Sequence, residues 1–121
     1  MVSVRVVFGD SRDMHELPNS SVHLVVTSPP YYNAPFDFPG LFRGYDEYLD
    51  LLRGVGRELF RVLRPGRVAV FVTMDVRIDG RLYPIVADLI KTMIGVGFEY
   101  QERIIWRKPE ATLGLAEGVV C

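Results

Sequence analysis

A chain of 121 residues with 14 basic and 15 acidic side chains, 49% hydrophobic residues and one cysteine reads as a single globular unit, large enough for one core without disulfide or metal staples. Its formal net charge of −1 excludes a generally basic, histone-like binder and leaves room only for a local basic face. The lone Cys121 gives no disulfide framework, which fits a reducing compartment and makes the cytoplasm the expected location. His15, His23 and Cys121 do not stand at a zinc-type spacing, so no metal is expected. No apolar run approaches the roughly 18 residues of a membrane span, so no membrane partner is expected either.

In chain order, Val2 to Phe8 mixes β-branched and aromatic residues and stops at Gly9-Asp10, the pattern of a buried strand ending in a turn. Ser11 to Leu17 reads as a short helix broken by Pro18-Asn19-Ser20. Val22 to Thr27 is a second strand, nearly continuous in apolar character as strands covered on both faces are, and it ends abruptly at Ser28-Pro29-Pro30. From Tyr31 to Gly44 the chain is a loop punctuated by Pro35, Pro39 and Gly40 and unusually rich in apolar residues, with Phe36, Phe38, Leu41 and Phe42.

Asp46 and Glu47 supply an N-cap and a first-turn acid for a helix in which Leu49, Leu52, Leu59, Phe60 and Leu63 share a face. Pro65-Gly66 ends it. Gly54 and Gly56 each cost that helix about 1 kcal/mol against alanine, which points to something close-packed against that turn. Val68 to Thr73 is a third strand, Asp75 to Arg81 a polar turn, Leu82 to Ile94 a second amphipathic helix closed by Gly95 and Gly97, and Phe98 to Arg107 a fourth strand. The alternation predicts an α/β fold, a mostly parallel sheet with helices on both faces. Residues 1–109 form the organised portion, and 110–121 carry no convincing pattern, as a tail or the truncated start of something larger.

In open α/β sheets ligands bind beyond the carboxyl ends of the strands, where Gly9-Asp10, Ser28-Pro29-Pro30-Tyr31 and Asp75 fall. Two successive prolines make a stiff, extended segment whose carbonyls are free to accept hydrogen bonds. The Ser28 side-chain oxygen and the Pro29 carbonyl then form a pair of acceptors at fixed separation. Such a pair, pulling on both hydrogens of an exocyclic amine, favours the pyramidal nitrogen whose lone pair attacks an electrophilic methyl group. Tyr31 supplies a face on which a base can stack.

TSPPYY at the end of an apolar strand, with GDSRD and LPNSSVHLVV before it and RVLRPGRVAVFV and IIWRKP after it, resembles the amino-methyltransferases of DNA over nearly residues 5 to 109. The order of these stretches resembles the permuted, or beta, class, in which the catalytic motif precedes the principal cofactor motif. The resemblance implies a Rossmann-like methyltransferase sheet, S-adenosylmethionine as cofactor, DNA as partner, base flipping and restriction-modification as context. Carried over residue by residue, it makes Ser28, Pro29, Pro30 and Tyr31 the catalytic motif and brings Asp10 near the adenosine part of the cofactor. Trp106 and Lys108 match a stretch of the family's catalytic region. Serine before Pro-Pro-Tyr leans toward cytosine N4, aspartate toward adenine N6.

The sequence departs from the family in lacking a Phe-x-Gly-x-Gly cofactor loop: Gly54-Val55-Gly56 lies inside a helix pattern and Gly95-Val96-Gly97 follows one. The expectation is an N-terminal catalytic half, complete only with a complementary half or a second copy. Plainer readings stand beside these. Pro-Pro-Tyr also occurs in ligands of small recognition domains, Asp10 also suits a helix cap, and His23 suits a core or edge histidine. Arg53, Arg57, Arg61 and Arg64 suit a solvated helix face as well as a phosphate-binding stripe, and Asp75 suits a turn.

Overall fold

The structure, a computed structural model, describes residues 2–34, 40–108 and 116–120, the last by backbone alone. The first strand, β1 (Val22–Thr27), lies where the apolar run predicts it. Helix α1 (Tyr45–Val62) follows, then β2 (Leu63–Thr73), a hairpin of β3 (Val76–Ile78) and β4 (Arg81–Tyr83), helix α2 (Ile85–Val96), β5 (Arg103–Arg107) and β6 (Ala116–Val120). The main sheet has the order β1-β2-β6-β5. Its β1–α1–β2 crossover makes a parallel pair, Leu24 opposite Val68 through Thr27 opposite Phe71. This is the α/β fold expected from the alternation, with a parallel core pair, and it is consistent with the Rossmann-like sheet that the resemblance implies. The remaining pairs, β2 with β6 and β6 with β5, run antiparallel, so the parallel character rests on β1 and β2.

Helix α1 begins at Tyr45, and Gly44, not Asp46, occupies its N-cap without a side-chain bond; Asp46 and Glu47 are first-turn acids that complement the helix dipole. Its buried row is Tyr48, Leu52, Gly56, Leu59 and Val62. Leu49 and Phe60 flank that row, and Leu63 already belongs to β2. The helix ends at Val62, before Pro65-Gly66, and the backbone N–H groups of Ser20 and Ser21 donate to the carbonyls of Arg61 and Val62 at 2.9 and 2.8 Å, satisfying orphan acceptors at the helix end. Pro65-Gly66 falls in the stretch of β2 skipped by its register with β1.

The core joins Leu52 and Leu59 of α1, Leu89 and Met93 of α2, and Ala69 and Phe71 of β2. Both helices therefore lie over one face of the sheet. On the other face, Leu24 is 58%, Val26 64% and Trp106 55% exposed. Among the described residues, the expected second layer of helices is absent, and helices cover one face only.

Other expectations change, among them the start of the second helix, at Ile85 and not Leu82, and of the strand before Arg107, at Arg103 and not Phe98. Val2 to Phe8 form no strand: Val2, Val4, Val6 and Phe8 are exposed, and the segment pairs with no strand among the described residues. Residues 11–17 form turns and no helix, because Asp10 Oδ1 accepts the Arg12 N–H at 2.9 Å and Asp13 Oδ1 the His15 N–H at 3.2 Å. Such local side-chain acceptors compete with helical hydrogen bonding. The polar stretch after β2 is a hairpin whose turn, Asp79-Gly80, has φ of 51° and 79°, the left-handed pair that an Asp-Gly hairpin turn requires. β6 lies between β2 and β5.

Candidate active site

Ser28 leaves β1 at the carboxyl end of the parallel pair, one residue beyond the Thr27–Phe71 pairing. Ser28 is exposed, and Pro29, Pro30 and Tyr31 are half-buried. The segment is held from behind. The Tyr48 hydroxyl, on the buried row of α1, donates to the Pro30 carbonyl at 2.7 Å. Tyr32, directly after the tetrad, is buried in a box of rings, with centroids 4.8 Å from Tyr83, 5.2 Å from Tyr45 and 5.7 Å from Tyr48. Aromatic pairs at these separations add to the area they bury.

Asn33 closes the loop that follows. Its Nδ2 donates to the Phe42 carbonyl at 2.8 Å, and its Oδ1 accepts the Phe42 N–H at 2.9 Å. Asn33 has φ of 43°, a left-handed conformation that asparagine tolerates better than most residues. Phe42 is buried and Leu41 exposed. Pro35, Phe36, Phe38 and Pro39 lie outside the described residues.

The box also links the two helices. The Tyr45 hydroxyl donates to Asp88 Oδ2 at 2.7 Å, and burial, reinforced by Asp88, pushes the Tyr45 phenol up from its ordinary range. Asp75 accepts the Val86 N–H at 2.9 Å, supplying the side-chain cap that Pro84 cannot give α2. It acts as a cap, beyond the plain turn role the sequence allowed.

Asp10 lines an open cavity of about 330 Å³ with Arg5, Ser11, Met14 and Leu17, a cavity to which the tetrad does not contribute. The exposed carboxylate is gripped by Arg12, with Nη2 to Oδ2 at 2.6 Å, and this hydrogen-bonded guanidinium lowers its pKa to about 2. A carboxylate has about four lone-pair sites, and Arg12 makes four contacts to Asp10, from its backbone N–H and Nε to Oδ1 and from Nε and Nη2 to Oδ2. Behind the cavity, Glu58 of α1 accepts the Met14 N–H at 2.6 Å, and Arg61 donates to the carbonyls of Met14 and Leu17.

The arginine stripe is therefore partly structural. Arg61 pairs with Glu58 at 2.9 Å and Arg53 with Asp50 at 2.6 Å, while Arg64 lies 3.2 Å from His23 at the sheet edge. Trp106 sits on β5, away from the helix-covered face. Among the described residues, no group of three His, Cys, Asp or Glu side chains could hold a metal ion, and no helix is long and apolar enough to cross a membrane. Sequence reading missed Tyr48 and Asn33. The four-residue spacing from Tyr48 to Leu52 and Gly56 carried the signal for the first; nothing local marked the second.

The fold is of the α/β class, a parallel β–α–β unit with the Ser-Pro-Pro-Tyr segment at the carboxyl end of its first strand. The chain belongs to the DNA methylase family, which it matches over residues 22–118. It is 36% identical over 110 residues to the Type II methyltransferase M.MjaVI of Methanocaldococcus jannaschii, covering 85% of this chain and 54% of that protein. To M.MjaI of the same organism it is 31% identical over 136 residues, covering 87% and 45%. A protein of Thermus thermophilus, TTHA0409, assigned as a DNA modification methylase and solved with S-adenosylmethionine, superposes with a TM-score of 0.74 at 37% identity, covering 93% of this chain and 49% of that one. The chain thus spans about half the length of these relatives.

Proposed function

We propose that this chain is the amine-binding catalytic portion of a permuted, beta-class DNA methyltransferase that acts on an exocyclic base amine, cytosine N4 ahead of adenine N6. The observation that carries the reading is the stiff Ser28-Pro29-Pro30-Tyr31 segment at the carboxyl end of the parallel pair, with Ser28 exposed. Ser28 Oγ and the Pro29 carbonyl accept the two amine hydrogens and favour the pyramidal nitrogen, stabilisation directed at the transition state. Tyr31 stacks on the base, which must leave the duplex to present its amine. The amine proton leaves after the nitrogen has become positively charged, so no strong base is required.

S-adenosylmethionine, when bound, supplies the electrophilic methyl group. Asp10, at a cavity of about 330 Å³, would accept from hydroxyl groups of its adenosine part in place of one of its four contacts with Arg12. The similarity to a methylase solved with that cofactor supports the same choice. This sequence carries no Phe-x-Gly-x-Gly loop for the rest of the cofactor. A cytoplasmic setting, a restriction partner and a complementary half or second copy belong to the same reading.

A second reading, a split or non-catalytic subunit, is favoured by the uncovered apolar sheet face at Leu24, Val26 and Trp106. The deciding experiment supplies methyl-labelled S-adenosylmethionine and duplex DNA to the chain, alone and with a polypeptide equivalent to the relatives' unmatched portion, and digests the DNA to nucleosides. Label in N4-methylcytosine is expected with the added portion; label in N6-methyladenine reassigns the base, and label in neither rejects the enzymatic reading. Ser28→Ala is expected to lower transfer by about a hundredfold with DNA affinity retained.

A further inference from the structure

The Pro30 carbonyl is spoken for by a residue that lies outside the tetrad. Tyr48 is wholly buried, and its ring is fixed by Tyr45, stacked at 6.0 Å and 19°, and by Phe42, edge-on at 5.1 Å. The hydroxyl therefore has little freedom, and it reaches Pro30 O at 2.7 Å across 18 residues of sequence. Burying a tyrosine hydroxyl without a partner is costly, so ring packing and hydrogen bond reinforce each other. In an extended proline segment with three residues per turn, successive carbonyls point about 120° apart. Holding the Pro30 carbonyl toward α1 turns the Pro29 carbonyl away from it.

We propose that Tyr48 is a positioning residue: by holding the Pro30 carbonyl it sets the direction of the Pro29 carbonyl and limits the acceptors offered to the target amine to Ser28 Oγ and Pro29 O. The inference rests on the amine-binding role proposed above. Without the Tyr48 hydroxyl, the Pro30 carbonyl is free to compete for the amine and the segment gains freedom to rotate. Tyr48 is wholly buried and presents no surface to DNA or cofactor. The loss therefore falls on turnover, because the amine is held less often in the reactive geometry.

The test is Tyr48→Phe, which keeps the ring and removes one oxygen. In the full chain, carbon-13 spectra of labelled proline are expected to show the Pro30 carbonyl resonance moving toward that of an unbonded carbonyl, with a smaller movement at Pro29 and none at Pro84. Site-specific 3-fluorotyrosine at position 48, a stronger donor of nearly the same volume, is expected to move Pro30 the opposite way, and it decides the question should the Phe variant fold poorly. In the assembly that transfers methyl groups, Tyr48→Phe is expected to lower kcat about tenfold with KM for DNA and cofactor unchanged. A stationary Pro30 or Pro29 resonance overturns the proposal, as does an unchanged kcat or a loss confined to KM. If the unmodified protein transfers no methyl group, the amine-binding reading fails, and with it the catalytic purpose of the contact. The resonances then still decide whether Tyr48 sets the Pro29 direction.

Discussion

Arg61 and Glu58, one turn apart on α1, meet at 2.9 Å and together hold a distant stretch of chain: Glu58 takes the Met14 N–H, and Arg61 gives hydrogen bonds to the carbonyls of Met14 and Leu17 and to Asn19 Oδ1. The segment that carries Asp10 has no helix or strand of its own. This ion pair supplies much of its order.

The pair makes that order sensitive to acid. Hydrogen bonds from Arg61, and then from the Met14 backbone, hold the Glu58 pKa at about 2, below its ordinary value of 4.5. A carboxyl group whose pKa is lowered by folding contributes stability that is fully present above its unfolded value and is lost as pH falls toward the folded one. The expected loss therefore lies between pH 4.5 and about 2. Thermal unfolding across that range should show a shallower fall for Glu58→Gln than for the unmodified chain, and amide exchange at Met14 should rise in the unmodified chain over the same range. Parallel slopes would reject the brace.

What was legible in the sequence divides by the range of the interactions involved. β1 and α1 were readable because an apolar run and a helical period are local, and the end of β1 at Ser28-Pro29-Pro30 follows from proline stereochemistry. Residues 2–8 carry the same β-branched signal, yet a strand also needs ladder hydrogen bonds to a partner, which no local pattern guarantees. The turns at Asp10 and Asp13 were hidden because short acidic side chains suit helix starts and Asx turns equally. In the candidate site the tetrad was legible as a motif, whereas its anchors were not: Tyr48 and Pro30, or Asn33 and Phe42, meet only once the chain has folded.

Asn33 combines two roles that different substitutions separate. Its amide makes both hydrogen bonds to the Phe42 backbone, and its φ of 43° is one that most side chains avoid. Asn33→Gly keeps the backbone conformation and loses the bonds; Asn33→Ala loses both. Each lost bond leaves a backbone group of a buried residue to find water, so Asn33→Gly is expected to cost about 1–2 kcal/mol and Asn33→Ala about 1 kcal/mol more. Urea unfolding of the two variants measures the difference. Equal costs would assign the whole effect to the hydrogen bonds.

Gly56 marks the contact between the helices. A Cβ built there would lie 2.6 Å from Met93 Sδ and 2.9 Å from its Cε, with Met93 itself buried in the core. Alanine would gain about 1 kcal/mol of helix propensity, but overpacking a core typically costs about 1–3 kcal/mol. Gly56→Ala is therefore expected to destabilise by about 1 kcal/mol, and shortening the opposing side chain with Met93→Ala should make the second change at Gly56 favourable. A double-mutant cycle by urea unfolding checks the sign. Additive effects would show that α1 and α2 do not meet through this pair.

Trp106 is the chain's single tryptophan, and it lies on the sheet face that carries no helices, 55% exposed, with Leu24 and Val26 exposed on the same face. Indole emission moves to shorter wavelength when water is excluded, so this one side chain reports on whether the face is covered. The chain alone is expected to emit as a water-exposed indole. Adding a polypeptide equivalent to the relatives' unmatched portion is expected to shift the emission to shorter wavelength, because covering an apolar face is favoured by about 25 cal/mol for each Å² removed from water. Val26→Asp, at 64% exposure, should leave the fold intact and abolish the shift by placing a charge in the covered face. Emission unaltered by the added portion would count against a complementary half on this face; a shift that survives Val26→Asp would confine the contact to the β5 side of the sheet, away from β1.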